Sequence, residues 1–301
     1  MTATSVPLPL TRGRVTALLI GVPACLALVL YNGFDLVATL GEAHYPVSYT
    51  FPANARSLDV SVAGGQLAIR PTTASRATLA GTARYSLVRS SVTEHTVGGV
   101  TRVGYHCPIP VGECEVDGTI NVPGATPITA HTDGGDAVVT GTTGPVTLSS
   151  GGGNISADHA TGPLTLDTSG GSIRATTVTA PTLTATTGGG NITADNVRAS
   201  AVTARTSGGS IDATGVVAPA VTASTGGGNI EIRFTAVPRD VDVNTSGGSI
   251  TLILPRSAAT YHVTATTAGG QVNDSVNQDL HSSNQIVATS GGGDVTISYA
   301  S

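Results

Sequence analysis

Ten glycine pairs, each followed after one intervening residue by an apolar or small side chain, constrain this chain more than any other feature. They are Gly64 and Gly65, Gly134 and Gly135, Gly152 and Gly153, Gly170 and Gly171, Gly189 and Gly190, Gly208 and Gly209, Gly227 and Gly228, Gly247 and Gly248, Gly269 and Gly270, and Gly292 and Gly293. From Gly134 onward the first glycines are 18, 18, 19, 19, 19, 20, 22 and 23 residues apart. A period so short and regular is the mark of a solenoid, in which each repeat is one coil that buries its inner face against the next.

The positions around each pair alternate as a half-buried strand does. Six residues before the first glycine stand Leu58, Ile128, Val146, Leu164, Leu183, Val202, Val221, Val241, Val263 and Ile286. Four before it stand Val60, Ala130, Leu148, Leu166, Ala185, Ala204, Ala223, Val243, Ala265 and Ala288. Three residues after it come Leu67, Ala137, Ile155, Ile173, Ile192, Ile211, Ile230, Ile250, Val272 and Val295. The residues between are mostly polar, as at Thr165, Asp167, Arg174 and Asp212. Two residues before the pair, on the buried parity, nine of the ten coils carry a hydroxyl: Thr132, Ser150, Thr168, Thr187, Thr206, Thr225, Thr245, Thr267 and Ser290. A buried hydroxyl needs a partner, so this pattern predicts a Ser/Thr ladder at the corner, bonded to turn backbone or to the next coil's hydroxyl. The neighbouring glycines supply positive φ or close approach between coils. Gly-Gly-Gly-Asn turns at 151–154, 188–191 and 226–229 alternate with Ser-Gly-Gly-Ser turns at 169–172, 207–210 and 246–249, which implies a duplicated two-coil unit, with or without bonds between the Asn and Ser side chains. At about 4.8 Å per coil the contiguous run makes a rod of roughly 40 Å.

Composition agrees with an all-β solenoid. With 39 Gly, no Trp and 3% aromatic residues, the core must be built from small and β-branched side chains, which suit pleated strands. The net charge of −5, with Arg as the only strong base, argues against a nucleic-acid partner. Polysaccharide-cleaving β-helices need clustered carboxylates and aromatic sugar platforms, and the sequence is sparse in both; a glycan-cleaving enzyme is therefore the weakest of the functional readings. Calcium-binding Gly-Asp repeats have a shorter period with an Asp in every turn, a spacing that Asp158, Asp195 and Asp212 do not keep. The seven His residues share no repeat phase and read as surface side chains, with His131 at a strand end. No catalytic residues, resident metal or cofactor are expected.

The N-terminal region differs. Val15 to Tyr31 is uncharged, apolar character returns before Asp35, and Arg12 and Arg14 precede the stretch. A short cytoplasmic segment over 1–14, one membrane-spanning helix over 15–36, a linker over 37–49 and an extracytoplasmic β-repeat domain over 50–301 follow from the positive-inside bias. A cleaved signal peptide is the rival reading, though a small-x-small cleavage site is not evident. Residues 70–127 interrupt the repeat and are read as continued β-structure with a loop at 89–115. They contain Cys107 and Cys114, with six residues between them. Outside the cytoplasm this spacing suits a disulfide; two free thiols, or a metal site with His95 and His106, are the alternatives it leaves open.

The segments RSLDVSVAGGQLAI, GTINVPGATPITAHTDGGDAVVTG, the serial TSGGSI and GGGNI turns, ITLILPRSAATYHVTATTAGGQV and SGGGDVTIS together resemble a bacterial "putative adhesin" family, otherwise known as a domain of unknown function. The resemblance spans about residues 50–301. It implies a β-repeat domain, often attached to one membrane segment, with some relatives linked to envelope stress; it implies no catalytic residues. The expectation is a non-catalytic surface or structural module, bound to the membrane and able to engage an envelope protein, a glycan or a second copy of itself. The alternative is an envelope-stress regulatory protein that binds a partner through the 70–127 interruption.

Overall fold

A computed structural model describes residues 42–53, 55–86, 91–106 and 114–301. The membrane segment expected at 15–36 and Cys107 lie outside the described residues. No helix among the described residues is long and apolar enough to cross a membrane.

Each coil is a strand, a glycine corner and a second strand. Counting the described residues, the ten strands before the corners lie in one sheet of twelve and the ten after them in a second of thirteen, the remaining five strands belonging to the cap end. In the first sheet Ile128–Thr132, Val146–Ser150, Leu164–Thr168, Thr179–Thr187, Arg198–Thr206, Ala220–Thr225 and Asp240–Thr245 pair in parallel without a register slip. Their partners in the second sheet run from Ala137–Thr140 to Ile250–Leu254, with one bulge between Ala213 and Val216. Period-two patterning decides the faces: Leu148, Leu166 and Ile155 are at most 1% exposed, whereas Thr147, Thr165 and Asp167 face solvent. Each Leu, Ile or Val so buried contributes about 1.5–3 kcal/mol, which lets a core almost without aromatics hold.

The hydroxyl ladder has a definite form. Thr187 Oγ1 donates to the Gly171 carbonyl of the preceding coil at 2.7 Å and accepts the Gly190 amide at 3.2 Å. The same pair of bonds recurs at Ser150, Thr168, Thr206, Thr225 and Thr245. Of the two roles expected for the corner glycines, close approach is the one the second glycine fills: a Cβ on Gly171 would lie 2.0 Å from the Gly153 carbonyl oxygen. Gly190, Gly209, Gly228, Gly248, Gly270 and Gly293 stand under the same constraint, each against the carbonyl of the second glycine in a neighbouring coil. Among these ten pairs positive φ is confined to the first, Gly64 and Gly65; the other nine meet the alternative, close approach between coils. From Gly152 to Gly247 the first glycine is freer, since a Cβ on Gly170 would meet Gly152 O at 3.7 Å, an ordinary contact. Asn and Ser at the alternating turns do not bond side chain to side chain. Asn154 Oδ1 accepts the Ser172 amide at 2.9 Å, Ser172 Oγ the Asn191 amide at 3.2 Å, and Asn191 Oδ1 the Ser210 amide at 2.8 Å. The opposite corner uses the left-handed region: His159, Thr177 and Asn196 have φ of 53°, 52° and 55°. For Thr this conformation is costly, and the stacked coils on either side hold it.

Three expectations are corrected. First, the coils do not stack in chain order at the far end. The strands Gln285–Ser290 and Val295–Tyr299 of the tenth coil pair directly with those of the eighth, and the ninth coil, His262–Thr267 with Val272–Asp274, lies outermost. Val263 and Ala265 are consequently only half-buried and Val272 is 43% exposed, because no further coil covers them. Second, Glu42–Thr50, in the stretch expected as linker, is a strand antiparallel to Thr78–Ser86, so the folded domain includes residue 42. Third, the loop expected at 89–115 contains the hairpin Ser91–Val97 and Val100–His106. The 70–127 interruption caps the stack: Cys114–Pro123 joins Leu67–Thr72 in one sheet, and Val100–His106 joins Ser57–Val62 in the other.

Candidate functional site

Individual side chains gather at the cap, where the repeat stops dictating small residues. Strands Thr78–Ser86 and Cys114–Pro123 run antiparallel with Arg84 opposite Glu115. Arg84 Nη2 donates to Glu115 Oε2 at 2.8 Å and to Asp117 Oδ2 at 2.7 Å. The second carboxylate oxygen of Asp117 accepts the Gln66 amide at 2.8 Å, so Asp117 extends the glycine-corner ladder into the cap. These side chains line a groove of about 590 Å³ with Gly64, Gly65, Gly134, Gly135 and Asp136. The buried Arg84 Nε has no hydrogen-bond partner, which leaves a donor at the base of an otherwise acidic groove. Gly65, with φ of 78°, brings the backbone against Val116 so closely that no side chain fits.

Aromatic residues close the same end. Tyr45 and Tyr85 meet edge to face at 5.8 Å, and Tyr49 meets Phe51 at 5.0 Å. Tyr49, from the edge strand of one sheet, hydrogen-bonds Glu94, from the edge strand of the other; burial first, and then this bond and the charge of Glu94, push its hydroxyl up to about 12. Burial also pushes Tyr105 up. Cys114 opens its strand and is disulfide-bonded. His95 is exposed on the edge strand opposite Arg102. Among the described residues no three His, Cys, Asp or Glu side chains gather in a metal-binding group.

Along the rod the outward faces carry aligned polar columns. Thr129, Thr147, Thr165, Thr184, Thr203 and Thr222 occupy one register line over six successive strands. On the other sheet Arg174 reaches Asp195 of the next coil at 2.8 Å, and Thr214 donates to the same carboxylate at 2.7 Å. The twenty corner glycines named from the sequence place backbone and hold no ligand chemistry of their own.

One constellation was missed in the sequence. His131 Nδ1 lies 2.8 Å from Ser149 Oγ and its Nε2 3.0 Å from Asp133 Oδ1, the connectivity of an acyl-transfer triad. Its signal was positional: His131 and Ser149 both stand three residues before a glycine pair, one coil apart, and so are neighbours on one face. Acyl transfer also needs free amides aimed at a developing oxyanion. Ser149 sits mid-sheet with parallel strands on both sides, so its surrounding amides are committed to the ladder, and the three side chains form a surface network.

Residues 109–301 match the family model described as Toastrack DUF4097. A crystal structure described as a "putative lipid binding protein" from Parabacteroides distasonis is similar in fold, with TM-score 0.53 and 12% identity, covering 85% of this chain and 97% of that one. A "putative adhesin" from Bacteroides fragilis aligns with TM-score 0.48 and 15% identity over 86% of this chain and 97% of its own. No curated protein matches the sequence. The chain belongs to the Toastrack DUF4097 family.

Proposed function

We propose that this Toastrack chain is a rigid rod displayed outside the cell membrane, a non-catalytic adhesin-like or structural module that meets its partner through the flat polar faces of its coils. The observation that carries this reading is the register-locked hydroxyl column from Thr129 to Thr222, held on a parallel sheet with no slip. Evenly spaced hydroxyls with few charges suit a polar polymer such as a glycan, which is bound by many weak hydrogen bonds rather than in one cleft. Of the outward carboxylates, Asp158 stands alone on its strand, and Asp212 lies beside Glu231 on adjacent strands of an exposed sheet face. The apolar segment at 15–36 anchors the chain on this reading, and because Glu42 opens the edge strand of the cap, the cap faces the membrane. Antibodies against the β-domain are expected to label intact cells. Labelling confined to permeabilised cells overturns the reading.

A second reading is favoured by the cap groove: a protein partner that presents an amide or carboxamide-rich loop to Glu115, Asp117 and Asp136 would make this a regulatory component of the envelope. Cross-linking in native membranes, under stress and at rest, tests it; recovery of no partner through the cap residues removes it.

A further inference from the structure

The end of the rod farthest from the cap is an open pair of sheet edges. On the ninth coil His262 N donates to Asn284 O and Ala268 N to Ser290 O, so the alternate residues Val263, Ala265 and Thr267 turn their amides and carbonyls away from the tenth coil. On the other sheet Val295 N donates to Gln271 O and Ser275 N to Ile297 O, which turns the backbone groups of Val272 and Asp274 outward in the same way. Beside these rows lie the half-covered Val263 and Ala265 and the 43%-exposed Val272; their counterparts one coil inward, Ile286, Ala288 and Val295, are at most 1% exposed. Edge strands that must stay unpaired carry a charge, a proline or a bulge. The cap end has such devices: Pro46 lies within one edge strand, and Glu94 of the other is tied to Tyr49. The strand His262–Thr267, sequence HVTATT, has neither proline nor acid and keeps its register without a bulge. The second edge, Val272–Asp274, ends in an acid, but that carboxylate is held within the chain, Oδ1 accepting the Val276 amide at 3.0 Å and Oδ2 accepting from Gln278 Nε2 at 2.6 Å.

We propose that this open end pairs with the same end of a second copy of the chain. A two-fold axis perpendicular to the two sheets reverses strand direction and stacking direction together while keeping each sheet in its own plane. Both sheets then continue across the junction as antiparallel pairs in one operation, and Val263, Ala265 and Val272 are covered by their copies. Cap-to-end stacking is disfavoured, because Ser91–Val97 runs opposite to the rest of its sheet and Pro46 lacks the donor the other sheet would need. Since each copy offers one such end, association closes at two. The inference is independent of what the side faces of the rod bind.

Sedimentation velocity of the full-length chain in detergent tests it, with three substitutions. The wild type is expected to show a concentration-dependent monomer–dimer equilibrium. Ala265→Pro removes an outward amide that the chain itself does not use, and Val272→Lys places a charge on the second edge; each is expected to abolish the dimer while leaving the far-UV strand signal unchanged. Val97→Lys, on the exposed hairpin of the cap, is expected to leave it intact. A wild type that stays monomeric at all concentrations, a dimer that survives Val272→Lys, loss of the dimer with Val97→Lys, or growth into fibres overturns the proposal. Should Ala265→Pro disturb folding, Val272→Lys alone decides, being a substitution at an exposed side chain.

Discussion

The coils and the cap extend the same two sheets, yet they hold them together by different means. In the coils the backbone does the work: glycine corners approach so closely that carbonyls and amides meet through one buried hydroxyl per turn, and identical layers repeat. In the cap the strands turn antiparallel, and the closing contacts pass to large side chains: the Tyr45–Tyr85 and Tyr49–Phe51 pairs, the Arg84 bridges and the Cys114 disulfide. The lesson is that a repeat can dispense with bulky residues only while every layer has a copy of itself on both sides. Where that fails, at the cap, individuality returns; at the ninth coil the crossover covers the outer side at Tyr261, and beyond it the core positions Val263, Ala265 and Val272 open to solvent.

The sharpest way to break this comparison is at one glycine pair. Gly171→Ala drives a Cβ to 2.0 Å from a backbone oxygen that cannot move without shifting the adjacent coil, and is expected to cost about 3 kcal/mol or more. Gly170→Ala, one residue away, meets only an ordinary contact and is expected to lie within about 1 kcal/mol of wild type, on the stabilising side through reduced freedom of the unfolded chain. Denaturant unfolding, read with local hydrogen exchange because repeat arrays need not unfold as one unit, measures both. Equal effects would mean that the pair is a conformational requirement rather than a packing one.

Next in size is the hydroxyl. Thr187→Val keeps the shape but leaves the Gly171 carbonyl without its donor and the Gly190 amide without its acceptor, at an expected cost of about 1–3 kcal/mol. Thr187→Ser is expected to restore most of it. If Val is tolerated as well as Ser, the ladder is a by-product of small-residue packing.

Much of the coil was legible because one rule is repeated: the inward positions from Leu58 to Ile286, the hydroxyl parity and the corner glycines are properties of any single turn. The order of the last two coils was not, since the ninth and tenth carry the same signature and either could follow the eighth. The only trace was in the spacings of 22 and 23 residues after Gly247, which supply the extra chain that crosses over the tenth coil and returns. That crossover is held at Tyr261, whose amide donates to Asn277 O and whose carbonyl accepts the Asp279 amide, both at 2.9 Å. The cap was illegible for the opposite reason. Its strands obey no period, and the juxtaposition of Arg84, Glu115 and Asp117 depends on antiparallel pairing over 31 and 33 residues of chain. The left-handed corner left a faint signal: Gly141 and Gly215 take the same conformation on the coils that flank His159, Thr177 and Asn196, and of these five only Thr177 is a residue type that disfavours it and must be held there by the stacking.

The smallest expected effect is also the most specific to the cap. Tyr49 and Glu94 stand on the edge strands of opposite sheets, and their hydrogen bond ties the two sheets across the end of the stack. The Tyr49 proton is held more tightly in the folded chain, at about 12 against an ordinary 10.0, so its contribution to stability is whole below pH 10 and is lost as the pH rises from there through about 12. Glu94→Gln removes the carboxylate's share. Tyr49 should then titrate at lower pH yet remain above 10.0, because burial, the larger cause, stays. Phenolate absorbance followed against pH, with Tyr49→Phe subtracted to isolate one of the seven tyrosines, reads this directly. Stability at neutral pH should change far less than at Gly171, as the pair is close to solvent. An unmoved Tyr49 in Glu94→Gln would show that the two sheets are not joined at this point, and the cap would then be closed by its aromatic pairs, the Arg84 bridges and the Cys114 disulfide without a tie between its edge strands.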